Sequence, residues 1–203
     1  MALNQQFKDL CARWREKANR YETGNDSNIS DILDKFFSLY VVYNALYSQA
    51  YFYLQRQSRN RGGDAYKPKK TFPDKKAATN YILDIIGSNK FVDILENNET
   101  TMSALTQLRT VMDRNSSIHF SICIDRESGN TKPESDKNLL KLLNGRDPLQ
   151  KGIAILTVIY EIRCNMFHGR KGVEPIQKAL LLPIITILEK VVDELYKTLS
   201  EVS

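Results

Sequence analysis

Gly152-Ile153-Ala154-Ile155-Leu156-Thr157-Val158-Ile159-Tyr160-Glu161-Ile162 leads without a break into Arg163-Cys164-Asn165-Met166-Phe167-His168-Gly169-Arg170-Lys171. From Gly152 to Ile162 only Thr157 and Glu161 interrupt an apolar sequence. The spacing predicts one helix from near Pro148 to Phe167, with proline in its first turn and Gly169 placed to close it. A helix apolar nearly all round has to be buried on several sides. It is therefore central to the core or to an oligomer interface, and the fold built around it reads as all-α.

The flanking sequence repeats the helical period. Leu3, Phe7, Leu10, Trp14, Ala18 and Tyr21 recur every three or four residues, predicting a first helix over 3–22. Gly24-Asn25-Asp26-Ser27 breaks it. A second, long helix is expected from Ile29 to Gln57, apolar around its middle. Ser58–Phe72 contains Gly62-Gly63 and Pro68, precedes Pro73, and reads as a long basic loop. A third helix is expected from Pro73 or Asp74 to Gly87, with shorter ones over 89–97 and 100–114. The period then changes: Ile118, Phe120, Ile122 and Ile124 alternate with Ser117, His119, Ser121 and Cys123. We read 116–135 as a small extended or hairpin-like insertion, followed by a short helix over 136–144. The last helix starts near Pro175. Pro183 should kink or interrupt it, at a cost of ~3 kcal/mol unless the backbone adapts. There is no internal repeat and no low-complexity tract, so 1–203 reads as a single domain.

Composition narrows the function classes. The 42% hydrophobic content is that of an ordinary globular chain. No run of ~18 apolar residues suggests a membrane span, and the charged N-terminus lacks the apolar centre of a secretory leader. The expectation is a cytoplasmic protein with no membrane partner. Cys11, Cys123 and Cys164 are widely spaced, with no C-x-x-C pair and only two histidines. Free thiols are expected, and no metal site of the usual kind. The acidic residues form no spaced cluster for magnesium. Neither a phosphate-binding glycine loop nor a Gly-x-Ser-x-Gly turn occurs, so no cofactor is expected.

The net charge of +5 belongs to one segment. Between Arg56 and Lys76 eight Lys or Arg face two Asp, whereas the rest of the chain is balanced to within one charge. Arg59, Arg61, Lys69 and Lys70 are interleaved with Tyr66 and Phe72. Cations that neutralise phosphates, beside aromatics that stack bases, suit single-stranded RNA. The alternative is a solvated loop of ordinary lysines.

Arg163 and His168 are the sharpest pair. Arginine keeps its charge at pH 7, whereas histidine changes protonation state there. On an unbroken helix a five-residue step turns roughly 140°, so the two converge only if the helix ends near Phe167. The bland alternative is that Arg163, His168, Arg170 and Lys171 complement a helix macrodipole. Against it, a charge on an apolar helix is expensive without a partner.

The stretch from Ile159 to Lys171, with Arg163, four residues and then His168, resembles the signature of the HEPN superfamily (higher eukaryotes and prokaryotes nucleotide-binding). Phe36-Phe37-Ser38-Leu39-Tyr40-Val41-Val42-Tyr43-Asn44-Ala45-Leu46-Tyr47 resembles the early long helix of such proteins. Many active members carry Asn, His or Asp directly after the arginine; here Cys164 holds that position and Asn165 follows. The resemblance implies an all-α HEPN-like helical bundle and metal-independent cleavage of RNA to 2′,3′-cyclic phosphate and 5′-hydroxyl ends. It implies that His168 moves the proton, that Arg163 stabilises phosphate charge, and that Asn165 contacts phosphate or orients the histidine. Asn44 is a supporting partner in this reading, or else a buried amide satisfied by backbone. Arg170 and Lys171 join the RNA-binding set. A homodimer that pairs two motifs is expected, both from the family and from the apolar Gly152–Ile162 stretch. A toxin or anti-phage role, with an antitoxin or other protein partner, is the biological expectation. The alternative is a non-catalytic HEPN module that binds RNA, a nucleotide or a protein partner.

Overall fold

A computed structural model describes residues 3–24, 26–61, 66, 71–125, 127–167 and 176–202. Its elements are α1 (Gln5–Asn19), α2 (Ile29–Asn60), α3 (Asp74–Ala77), α4 (Asn80–Ile86), α5 (Ser88–Glu96), α6 (Glu99–Met112), α7 (Pro133–Leu143), α8 (Pro148–Phe167) and α9 (Ile176–Val202). The fold is all-α, and the described residues hold no β-strand. Local chemistry starts three of the helices. The side chains of Asn4, Asn28 and Asn98 accept backbone N–H groups at the N-termini of α1, α2 and α6. Each thereby satisfies donors that a helix leaves without partners in its first turn.

Two bodies of packing share one core. α2 lies against α1 and α9, and α9 also against α6. α8 is covered by α7, α5 and α4. Ala154, Ile155, Leu156, Val158, Ile159 and Ile162 are all fully buried within the single chain. The apolar character of α8 is thus satisfied by its own chain and does not itself call for a second copy. Gly152 allows this closeness: a Cβ there would lie 2.8 Å from a Leu83 methyl and 3.3 Å from the Phe91 ring.

Several boundaries differ from the sequence reading. α2 continues to Asn60, so Ser58 and Arg59 are helical. The helix expected from Pro73 to Gly87 is two helices. The buried Tyr43 hydroxyl donates to the Ala78 carbonyl, and Thr79 takes a non-helical backbone (φ −125, ψ −82). A tertiary hydrogen bond thus engages a carbonyl that a continuous helix would have paired. Gly87, at φ +88, then joins α4 to α5 in a conformation that favours glycine. α7 begins at Pro133 and takes the last three residues assigned to the insertion.

The rest of the insertion is irregular. It is fastened by one antiparallel bridge, Ile124 to Thr131, with the Lys132 N–H donating to the Cys123 carbonyl at 2.8 Å. α9 runs uninterrupted through Pro183. Leu180, Leu181, Ile184, Ile185, Ile187 and Leu188 around it are fully buried. At ~1.5–3 kcal/mol per buried aliphatic side chain, that packing outweighs the ~3 kcal/mol a mid-helix proline costs. No helix among the described residues is long and apolar enough to cross a membrane.

Candidate functional site

Arg163 stands four residues before the last residue of α8, partly buried. Its guanidinium carbon lies 5.4 Å from the centre of the Tyr40 ring, and Nη1 is 3.9 Å from Cys164 Sγ. The ring face attracts the cation by its quadrupole. Burial works against the charge, but Tyr40 and Cys164 more than offset it, so the Arg163 pKa is held above its ordinary value.

Tyr40 is the start of a tyrosine ladder. Tyr40, Tyr43 and Tyr47 meet edge to face along α2, with centroids 5.7 and 5.3 Å apart. Their i, i+3 and i, i+4 spacing puts them on one helix face. The far end of the ladder is a carboxylate. Tyr47 donates its hydroxyl to Asp74 Oδ1 at 2.5 Å, and Tyr160 donates to Asp74 Oδ2 at 3.1 Å. Asp74 thereby joins α3 to both α2 and α8. The next residue repeats the link: Lys75 Nζ reaches Glu161 Oε1 at 2.5 Å and lies 5.9 Å from the Tyr160 ring centre. Burial, above all, pushes the phenols of Tyr40, Tyr47 and Tyr160 far above the usual tyrosine range. They stay protonated at neutral pH, and those of Tyr47 and Tyr160 donate to Asp74.

A cleft of about 790 Å³ opens on the other side of Tyr160, between α7, α8 and the 123–132 turn. Its cations are matched within it: Lys75 pairs with Glu161, and Lys132 with Asp125 at 2.8 Å. It is therefore not an anion trap.

The remaining sequence-derived residues divide. Asn165 is buried, and its amide donates to the Ile122 carbonyl at 2.6 Å. It ties the end of α8 to the insertion. Asn44 is exposed on α2, one turn beyond Tyr40, which removes the reading of a buried amide. Arg59 and Arg61 are exposed at the C-terminal end of α2. Lys69, Lys70, His168, Arg170 and Lys171 lie outside the described residues.

The aromatics of the basic segment are spoken for by the body of the protein. Tyr66 donates to Asp84 Oδ2 at 2.9 Å and packs edge-on against Tyr81, while Phe72 stacks on Tyr47 and meets Tyr51 edge-on. They tie residues 66 and 72 to α4 and α2. The sequence reading passed over Asp74, Tyr47 and Tyr160. The available signal was tyrosine at 40, 43, 47 and 51, a stripe that places hydroxyls where a core would take phenylalanine or leucine.

Compared with models of known protein families, with curated proteins and with solved structures, the chain has no significant match.

Proposed function

We propose that this chain is a HEPN-type, metal-independent endoribonuclease that leaves 2′,3′-cyclic phosphate and 5′-hydroxyl ends. The observation that carries the reading is the setting of Arg163. A permanent cation rests on an aromatic face four residues before the last residue of the central helix, and the motif histidine, His168, directly follows that last residue in sequence. In the reaction the 2′-oxygen attacks phosphorus and the bond to the 5′-oxygen breaks. One His168 takes the 2′-hydroxyl proton and a second donates a proton to the departing oxygen. Arg163 stabilises the charge that accumulates on the phosphate. One imidazole does not serve both ends of the phosphorus at once, so the active species is a homodimer that brings two motifs together. Exposed Arg59 and Arg61, with Lys69, Lys70, Arg170 and Lys171, supply phosphate contacts along the strand. The protein acts in the cytoplasm as a toxin or anti-phage effector, restrained by an antitoxin or other protein partner.

A second reading is a non-catalytic HEPN module that binds RNA, a nucleotide or a protein partner. It is favoured by one observation: Cys164 and Asn165, which follow the arginine, are both buried, and the Asn165 amide is committed to Ile122. The test is incubation of purified protein with total RNA in EDTA, with analysis of fragment ends. Cyclic phosphate ends that vanish with His168→Ala support the enzyme. Bound but intact RNA supports the binding module.

A further inference from the structure

We propose that Asp74 is the positioning residue for Arg163, acting through the tyrosines that the carboxylate holds; its bearing on catalysis rests on the endoribonuclease reading above. The geometry is a chain of contacts from three separate elements. Asp74, in α3, accepts Tyr47 of α2 on one oxygen and Tyr160 of α8 on the other. Tyr47 packs edge to face through Tyr43 to Tyr40, whose ring carries the Arg163 guanidinium. Tyr160 lies three residues before Arg163 on α8, so its bond to Asp74 also sets the rotation of that helix at the motif.

An arginine side chain has many rotamers, and its use as a phosphate clamp depends on being held in one of them. A ring face gives attraction but little direction. Fixing the ring and the helix together adds direction, and Asp74 bonds to a phenol on each. Asp74 is only partly buried, yet both its oxygens are occupied by phenols. A carboxylate present merely to start α3 would need neither, because that helix is a single turn. Asp74 sits inside the basic 56–76 segment, and Lys75 beside it grips Glu161.

The test uses the full chain with Asp74→Ala, Asp74→Asn and Tyr47→Phe. The first readout needs no RNA: the guanidinium resonances of Arg163 in a nitrogen-15 spectrum, assigned by their loss in Arg163→Lys. A guanidinium held on a ring face is shifted by the ring current. The expected result is that this shift collapses toward the free-arginine position in Asp74→Ala and in Tyr47→Phe. Asp74→Asn should keep part of it, because its amide oxygen still accepts a phenol. The second readout is cleavage. Asp74→Ala should lower kcat on the order of 10²-fold, the scale of a misplaced contact, with KM moved much less. Should Asp74→Ala not fold, Asp74→Asn and Tyr47→Phe carry the decision. Unchanged Arg163 resonances in any folded variant that has lost a phenol–carboxylate bond overturn the proposal. Resonances that move as expected in a wild type that never cuts RNA support the positioning role and reject the enzyme reading.

Discussion

The side-chain amide of Asn165 donates to the backbone carbonyl of Ile122 at 2.6 Å, fastening the end of the motif helix to the irregular segment that precedes α7. The same segment is held from behind by Asp136, which is 1% exposed and accepts the N–H groups of Ile122 at 3.2 Å and Cys123 at 2.7 Å. Asn165→Ala leaves a buried carbonyl without that donor and should cost about 1–3 kcal/mol. Asp136→Ala should cost at least as much, since it strands two backbone donors of the same segment. Urea midpoints read both losses. Amide exchange at Ile122 and Cys123 should accelerate in Asp136→Ala, and unchanged exchange there would refute this account of the segment.

Gly152 is the point where α8 meets α4 and α5. A Cβ would sit 2.8 Å from a Leu83 methyl, in a region where Leu83 and Phe91 are themselves buried. Gly152→Val adds a branched side chain to that contact and should destabilise by roughly 1–3 kcal/mol, the usual cost of overpacking. Thermal unfolding measures it. A paired Leu83→Ala should recover part of the loss, because it opens space on the facing helix.

Alkaline pH should weaken the fold through groups held neutral. Burial pushes the Cys11 thiol up to about 11 from 9.0, with Arg15 opposing it, and pushes the Cys123 thiol up to about 12, with Asp136 adding to the effect. Below pH 9 each thiol is protonated in both folded and unfolded chains. Between pH 9 and 11–12 the unfolded chain ionises first, which lowers its free energy relative to the native state. Their contribution is therefore complete below pH 9 and is lost as pH rises through the folded values. Urea midpoints at pH 8 and pH 10.5 should differ in that direction. Thiol reagents at pH 8 should label Cys11 and Cys123 slowly until the protein is unfolded.

The Arg163–Tyr40 contact separates ring from hydroxyl. Tyr40→Phe keeps the aromatic face and should behave close to wild type in cleavage. Tyr40→Leu removes it and forfeits ~0.5–2 kcal/mol of cation–π attraction. Arg163→Lys should also cut poorly, because an ammonium lacks the planar fork that meets two phosphate oxygens. His168→Ala should lose ~10²–10⁴ in rate. Gel assays with end analysis rank the four variants, and equal activity in Tyr40→Leu and Tyr40→Phe would count against the aromatic seat.

Arg59 and Arg61 are exposed at the end of α2 and free of the core. If they contact phosphates of single-stranded RNA, each replacement by Ala should flatten the log–log salt dependence of binding by about 0.7. Titrations at several salt concentrations give the slope. A slope unchanged in the double variant marks the two arginines as solvated surface.

The helical class, the start of α8 at Pro148 and the central burial of that helix were legible in the residues, because apolar period and proline are local signals. So was the position of Arg163 near the C-terminal end of a buried helix. What surrounds Arg163 was not legible. Tyr40 is more than a hundred residues away in the chain, Asp74 nearly ninety, and no local period reports that three helices will bring them together.

The break between α3 and α4 has the same origin, since the Tyr43 hydroxyl that engages the Ala78 carbonyl comes from another element. Tertiary structure also decided where the apolar surface of α8 went. Its composition allowed a second copy or its own chain as the cover, and α4, α5 and α7 cover it. Sequence alone determines which faces must be buried, because burial is a property of each side chain's transfer from water. Only the folded chain decides what buries them and which polar groups meet there, because those pairings depend on the simultaneous geometry of distant elements.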